Sequence, residues 1–128
     1  MIFDYLDGEP IIPLKIWSKN NTWVEFQAYA DSGAGYSVFH QDTAMILGIN
    51  YRQGSLLKLT VGNGDKLPVY LHRAKVNFAN KEFYAQIAFS KNLVVGVNLL
   101  GQKSFFDRFT FCFQSWKKQL EVIPKPGW

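Results

Sequence analysis

Apolar and polar residues alternate with a period close to two along most of the chain, the spacing of half-buried β-strands. Ile12, Leu14 and Ile16 take one face of a first strand, with Pro13 and Lys15 between them. Ser18-Lys19-Asn20-Asn21 reads as a hairpin turn. Val24, Phe26, Ala28 and Ala30 fill one face of a return strand that runs directly into Asp31. Leu57, Leu59 and Val61 alternate next, and Gly62-Asn63-Gly64-Asp65 supplies the positive-φ residues of a tight hairpin. Beyond it Leu67, Val69 and Leu71 hold odd positions, whereas Ala74, Val76 and Phe78 hold even ones. One extra residue flips a strand's face, so this change of parity predicts a bulge near His72-Arg73. Ala79-Asn80-Lys81 turns into a strand carrying Phe83, Ala85, Ile87 and Phe89. An apolar run, Leu93-Val94-Val95-Gly96-Val97, then leads to Asn98-Leu99-Leu100-Gly101. Phe109, Phe111 and Phe113 alternate again, and Leu120 and Val122 belong to a last strand.

Two segments break the period. Gln41 to Leu47 predicts a short helix, with Asp42 at its N-terminus and Gly48 as its stop. A second short helix is predicted over Gln102 to Arg108, and Pro124 to Trp128 is expected to be irregular. Many short strands joined by Gly and Asn turns imply a closed or sandwiched all-β domain, since closure removes exposed sheet edges.

The 128 residues make one domain, large enough to bury about two-thirds of its unfolded surface without disulfides or metal. Aromatic residues are 16% of the chain and eleven are Phe, which predicts an aromatic-rich core or interface. The single Cys112 excludes an intrachain disulfide and, between Phe111 and Phe113, is expected to be a buried small hydrophobe. Its solitude favours a reducing compartment. The segment Met1 to Asp7 carries acids where a secretory leader would be basic, and no run of 18 apolar residues exists, so a cytoplasmic, non-membrane protein is expected. The net charge of +4 raises a nucleic-acid partner, but the basic residues are scattered, with Lys117-Lys118 the densest cluster, and a solvated surface is the simpler reading.

Candidate chemistry concentrates at Asp31-Ser32-Gly33-Ala34. Hydrolysis by two carboxylates needs one ionised, to take a proton from water, and one protonated, to hydrogen-bond the scissile carbonyl. Two carboxylates about 3 Å apart cannot both be charged, so the pair titrates as a unit. Each Asp must sit on a rigid turn: Gly33 lets backbone approach closely, and the Ser32 hydroxyl can link two such turns. The chain holds one such tetrapeptide, so the second carboxylate must come from a second copy. A bare β-turn is the plainer reading of the same residues. The amphipathic strand before Asp31, Val38-Phe39 after it, and the later Leu99-Leu100-Gly101 favour the site. Asp4, Asp7, Asp42, Asp65 and Asp107 lie in no comparable turn, and Asp107-Arg108 reads as a helix-end charge pair. No His/Cys/Asp cluster has metal-ligand spacing and no Gly-rich phosphate loop precedes a helix, so neither metal nor cofactor is expected.

These residues resemble the retropepsin-like aspartic peptidases, single-lobe homodimeric relatives of retroviral proteases. The first family signature is matched by Asp31-Ser32-Gly33-Ala34 and Val38, the second by Leu99-Leu100-Gly101 followed by Phe105-Phe106. The Leu57 to Leu71 hairpin stands where the family has its flap. The resemblance implies an all-β, single-lobe closed barrel over residues 11–123, with 1–10 as a dimer strand or tether and 124–128 as a tail. It implies catalysis by Asp31, Ser32 and Gly33 of a homodimer. Substrate would be held by Ala34, Val38, Val97 and Leu99 and by the flap residues Gly62, Asn63 and Gly64. Terminal strands near Ile2 to Leu6 and Leu120 to Ile123 are candidates for interdigitating between the two copies. Retroviral members often carry an acid after the Ala and an Arg after the second Gly; here those positions hold Gly35 and Gln102, so both partners of that ion pair are absent together. Two other readings stand beside the peptidase. One is the same fold as a non-catalytic dimerisation or peptide-binding module. The other is a basic β-barrel binding single-stranded nucleic acid, with Trp17, Trp23, Tyr29, Tyr70 and Tyr84 as stacking platforms.

Overall fold

Each alternating segment becomes a strand, and the turns between them set the topology. The computed structural model describes residues 1–93 and 96–128, so Val94 and Val95 of the apolar run lie outside the described residues. The first hairpin joins β2 (Ile11–Trp17) to β3 (Trp23–Ala30), after a short β1 (Ile2–Asp4). Its turn is closed by Ser18, whose N–H donates to the Thr22 carbonyl and whose hydroxyl meets that of Thr22 at 2.9 Å. β4 (Ser37–His40) leads straight into α1 (Gln41–Leu47). The His40 side chain caps this helix by accepting from the Asp42 N–H, and Gly48, at φ 75°, ends it in the left-handed conformation.

β5 (Ser55–Thr60), β6 (Lys66–Phe78) and β7 (Lys81–Ser90) follow as a meander, and β8 (Asn98–Leu100) inserts between β3 and β4. The ring runs β2, β3, β8, β4, β7, β6 and returns to β2 through Lys15↔Asn77 and Ile16↔Val76. Six strands thus close a barrel. β3–β8 and β4–β7 are parallel; the other pairs are antiparallel. β5 bonds only to the first half of β6, so this hairpin projects beyond the ring.

The expected bulge at His72-Arg73 is absent: the register of β6 against β5 and β7 is unbroken. The parity change has another cause. Ala74, Val76 and Phe78 enter the main core on one face of β6. Val69, with Leu67 and Leu71 beside it, faces the other way into a small second core with Val38 and Ala88. One straight strand serves two cores on opposite faces.

The main core is built from aromatic edges. Phe78 meets Phe105 at 5.3 Å and Phe109 at 5.1 Å between ring centres, both edge-to-face, and Phe105 also meets Phe83 at 5.8 Å. The segment expected as a second helix, Gln102 to Arg108, is instead a wide kinked turn. Phe106 and Asp107 donate back to the carbonyls of Gly101 and Gln102, five residues earlier, and Ser104 sits at φ 75°. That kink buries the Ser104 hydroxyl, which accepts from the Gln86 N–H at 2.9 Å. Gln86 lies just past the stretch of β7 that β4 covers, so without Ser104 this edge N–H would lose its partner.

β9 (Phe109–Gln114) and β10 (Gln119–Pro124) form a second sheet with β1, in the order β1–β10–β9. The terminal strands expected to interdigitate between copies are therefore paired to each other within one chain, Ile2↔Glu121 to Asp4↔Gln119. Phe3, Leu120 and Val122 point into the main core. Cys112 stands on the other face, opposite Glu121, and is half-buried rather than buried as expected. Arg108 makes no ion pair with Asp107; its guanidinium donates to the Tyr84 carbonyl at 3.0 Å and packs over Phe83 and Trp128. No helix among the described residues is long and apolar enough to cross a membrane.

Candidate active site

Asp31 leaves the end of β3 and enters a tight turn that is bonded on three sides. Its N–H donates to the Leu100 carbonyl of β8 at 3.0 Å. Its own carbonyl accepts from the Ala34 N–H at 3.1 Å, which closes the turn. Its carboxylate Oδ1 accepts from the Gly33 N–H at 3.0 Å. A Cβ on residue 33 would lie 3.3 Å from that same oxygen, so glycine leaves room for the carboxylate.

The segment after β8 clasps the turn from outside. Gln102 N–H donates to the Ala34 carbonyl at 2.8 Å, and Lys103 N–H to that of Gly35 at 3.0 Å. The Gln102 side chain donates to the Ser32 carbonyl at 2.6 Å. Gly101 makes the clasp possible. A Cβ there would collide with the Tyr36 carbonyl and lie 2.7 Å from that of Ala34. Its N–H donates to the buried Ser37 hydroxyl at 2.9 Å. Leu99-Leu100-Gly101 and Asp31-Ser32-Gly33-Ala34 are thus one bonded unit. Gln102, noted in the sequence only for the charge it lacks, supplies the bracing.

In front of the turn opens a cleft of about 830 Å³. Its floor is Asp31, Gly33, Ala34, Val38 and Leu99. Its roof is the β5–β6 hairpin, including Leu59, Val61, Gly62 and Asn63. Leu93 and Asn92 close one end. The inner face of the flap and Val38 belong to the second, smaller core, so apolar side chains line the cleft around Asp31, with Asp65 and Lys66 on the flap side. Asp65, at the flap, is held by Asn63, whose amide donates to its carboxylate at 2.9 Å. Asp31 is only partly buried.

Of the residues singled out in the sequence, the cleft unites Asp31, Gly33, Ala34, Val38, Gly62, Asn63 and Leu99. Ser32 and Gly64 do not line it; both are exposed, on the turn and at the flap tip. Val97 lies with Gln27, His40, Thr43 and Asn98 around a separate hollow of about 570 Å³. Tyr36, Leu59, Val61, Leu67 and Leu93 line the cleft without having been named for it. The alternation of Leu57, Leu59 and Val61 carried that signal, because it put those residues on the flap's inner face.

Four of the five aromatic residues considered as stacking platforms pack on other side chains of the same chain. Trp17 and Trp23 meet edge-to-face at 5.2 Å under the Lys75 ammonium. Arg73 lies 3.9 Å over the Tyr84 ring, and Tyr70 packs on Tyr51. Among the described residues no group of three or more His, Cys, Asp or Glu is placed to hold a metal ion.

No family model and no curated protein matches the sequence. Solved structures do match it. A retropepsin-like aspartic protease from Rickettsia conorii superposes on 96% of this chain and 97% of its own, with a TM-score of 0.67 and 20% identity. EIAV protease, solved with the inhibitor HBY-793, covers 76% of this chain and 85% of its own, with a TM-score of 0.53 and 19% identity. These likenesses establish the fold expected from the signatures: a retropepsin-type closed β-barrel.

Proposed function

We propose that this chain, built on a retropepsin-type barrel, is an aspartic endopeptidase that works as a homodimer. The observation that carries the reading is Asp31 itself. A partly buried carboxylate is presented by a turn braced through its backbone, at the floor of a cleft roofed by a hairpin. A turn needed only to reverse the chain requires neither the clasp nor the roof.

In the proposed mechanism the Asp31 carboxylates of two copies share one proton. The ionised one takes a proton from a water held between them, and the water oxygen attacks the peptide carbonyl carbon. The protonated one donates to the carbonyl oxygen as the tetrahedral intermediate forms. Collapse breaks the C–N bond, and the nitrogen leaves with the proton taken from water. An extended peptide lies between floor and flap and is held through its backbone as an added strand. Leu59, Val61, Val38 and Leu99 surround its side chains and keep bulk water from the reacting bond.

The test is cleavage of an unfolded, apolar-rich protein between pH 3 and 7, with wild type and Asp31→Asn side by side. Wild type is expected to follow a bell-shaped pH curve, and the variant to lose about a thousandfold or more of the rate. The variant should keep its fold and its association state, since it removes an ionisable group and almost no volume. Undiminished cleavage by Asp31→Asn would falsify the mechanism.

A further inference from the structure

We infer that Gln102 is a positioning residue for Asp31, acting through the peptide unit that joins Ser32 to Gly33; the inference rests on Asp31 being the reacting group. That unit is planar and trans, so its C=O and N–H point in opposite directions. Both ends are occupied. The Gln102 Nε2 donates to the Ser32 oxygen at 2.6 Å, and the Gly33 N–H donates to Asp31 Oδ1 at 3.0 Å. Holding one end of a rigid plane fixes the direction of the other. Gln102 therefore aims the donor that holds the carboxylate.

The arrangement is electrical as well as geometric. A donor on a carbonyl polarises the amide and strengthens the donation from its N–H. The Ser32 oxygen can only accept, so the Gln102 amide must present its nitrogen there, and a carboxylate in its place would repel. Gln102 is otherwise tied down by its own backbone: its N–H holds the Ala34 carbonyl and its carbonyl accepts from Asp107 N–H. The side chain starts from a fixed point and reaches over the turn. Besides the Asp31 carboxylate itself, no other side chain among the described residues bonds to the backbone of residues 31–34. The charged groups across the cleft from Asp31 are Asp65 and Lys66, both on the flap and neither in the clasp.

The experiment is the NMR signal of the Gly33 amide in full-length protein, read in wild type, Gln102→Met, Gln102→Glu and Gln102→Lys. Methionine keeps the length and removes the donor, glutamate replaces the donor with an acceptor, and lysine restores a donor. Gly33 amide exchange should quicken about fivefold in Gln102→Met and more in Gln102→Glu, and return toward wild type in Gln102→Lys. Peptidase kcat should fall with KM unchanged. A Gly33 amide that is the same in all four proteins, with core amides such as Ile87 unmoved, overturns the inference. Should Gln102→Met fail to fold, the Glu–Lys comparison decides alone. An inactive wild type whose Gly33 amide still follows this order would sink the peptidase reading and leave the coupling standing.

Discussion

Two turns face each other across the cleft, and each carries one aspartate along with glycine. The turn Asp31 to Ala34 contributes Asp31, Gly33 and Ala34 to the floor, and the turn Gly62 to Asp65 is the tip of the roof. Their supports differ. The floor turn is bonded to Leu100, Gln102 and, one residue on, Lys103, all from another part of the chain. The flap turn is bonded to itself: Val61 to Asp65, Gly64 to Val61, and Asp65 to Asn63 by both side chain and backbone. An aspartate is accordingly a fixed instrument in one and a local strut in the other. A short turn with an aspartate becomes a platform or a cover according to where its hydrogen bonds go.

Substitutions can break this contrast. The largest effect is expected for Gly101→Ala. Its methyl would strike the Tyr36 and Ala34 carbonyls, which are backbone and cannot turn aside. About 3 kcal/mol of stability should be lost, the upper end of overpacking costs, and chemical denaturation would read it. Ser37→Ala comes next. It strands the Gly101 N–H in a buried place, for about 1–3 kcal/mol by the same measurement, with the cleft side chains untouched. On the flap the effects should shrink. Gly64→Ala places a side chain at φ 87° with open space around it, so only backbone strain opposes it, about 1 kcal/mol. Gly62→Ala meets nothing and lies outside the left-handed region, so its stability by the same chemical denaturation should match wild type within about 0.5 kcal/mol. Equal losses at Gly101 and Gly62 would mean that the two turns are not held differently after all.

Much of this was legible from residue spacing, and the failures share a cause. The period of two located the barrel strands and the flap, and Gly48 marked the end of α1 where the left-handed residue is found. Local rules suffice there because the signal is local. The parity change in β6 was visible, but its meaning was not: a bulge and a change of buried face look identical until the partners on each side are known. Gln102 to Arg108 has helical residue types, and tertiary demand overrides them, since Gln86 needs the Ser104 hydroxyl. Cys112 sits between two phenylalanines yet on the opposite face of β9 from Phe111, so its neighbours in sequence are not its neighbours in space. At the site, the signature turn stood out, whereas its brace did not. Nothing in the spacing of Gln102 says that its amide reaches Ser32 across 70 residues of chain.

The second sheet carries a consequence for how such a protein is controlled. β10 is bonded on one edge by β1 and on the other by β9, all from the same chain. No strand of a visiting copy is needed to complete it. Each chain can then complete this strand's pairing alone, and its melting temperature should rise with protein concentration only by what the pairing of two folded copies adds. The proposed chemistry, needing two Asp31 residues, should follow the number of pairs instead. If that chemistry operates, dilution would switch it off before it unfolded the chain, leaving intact protomers that revive on concentration.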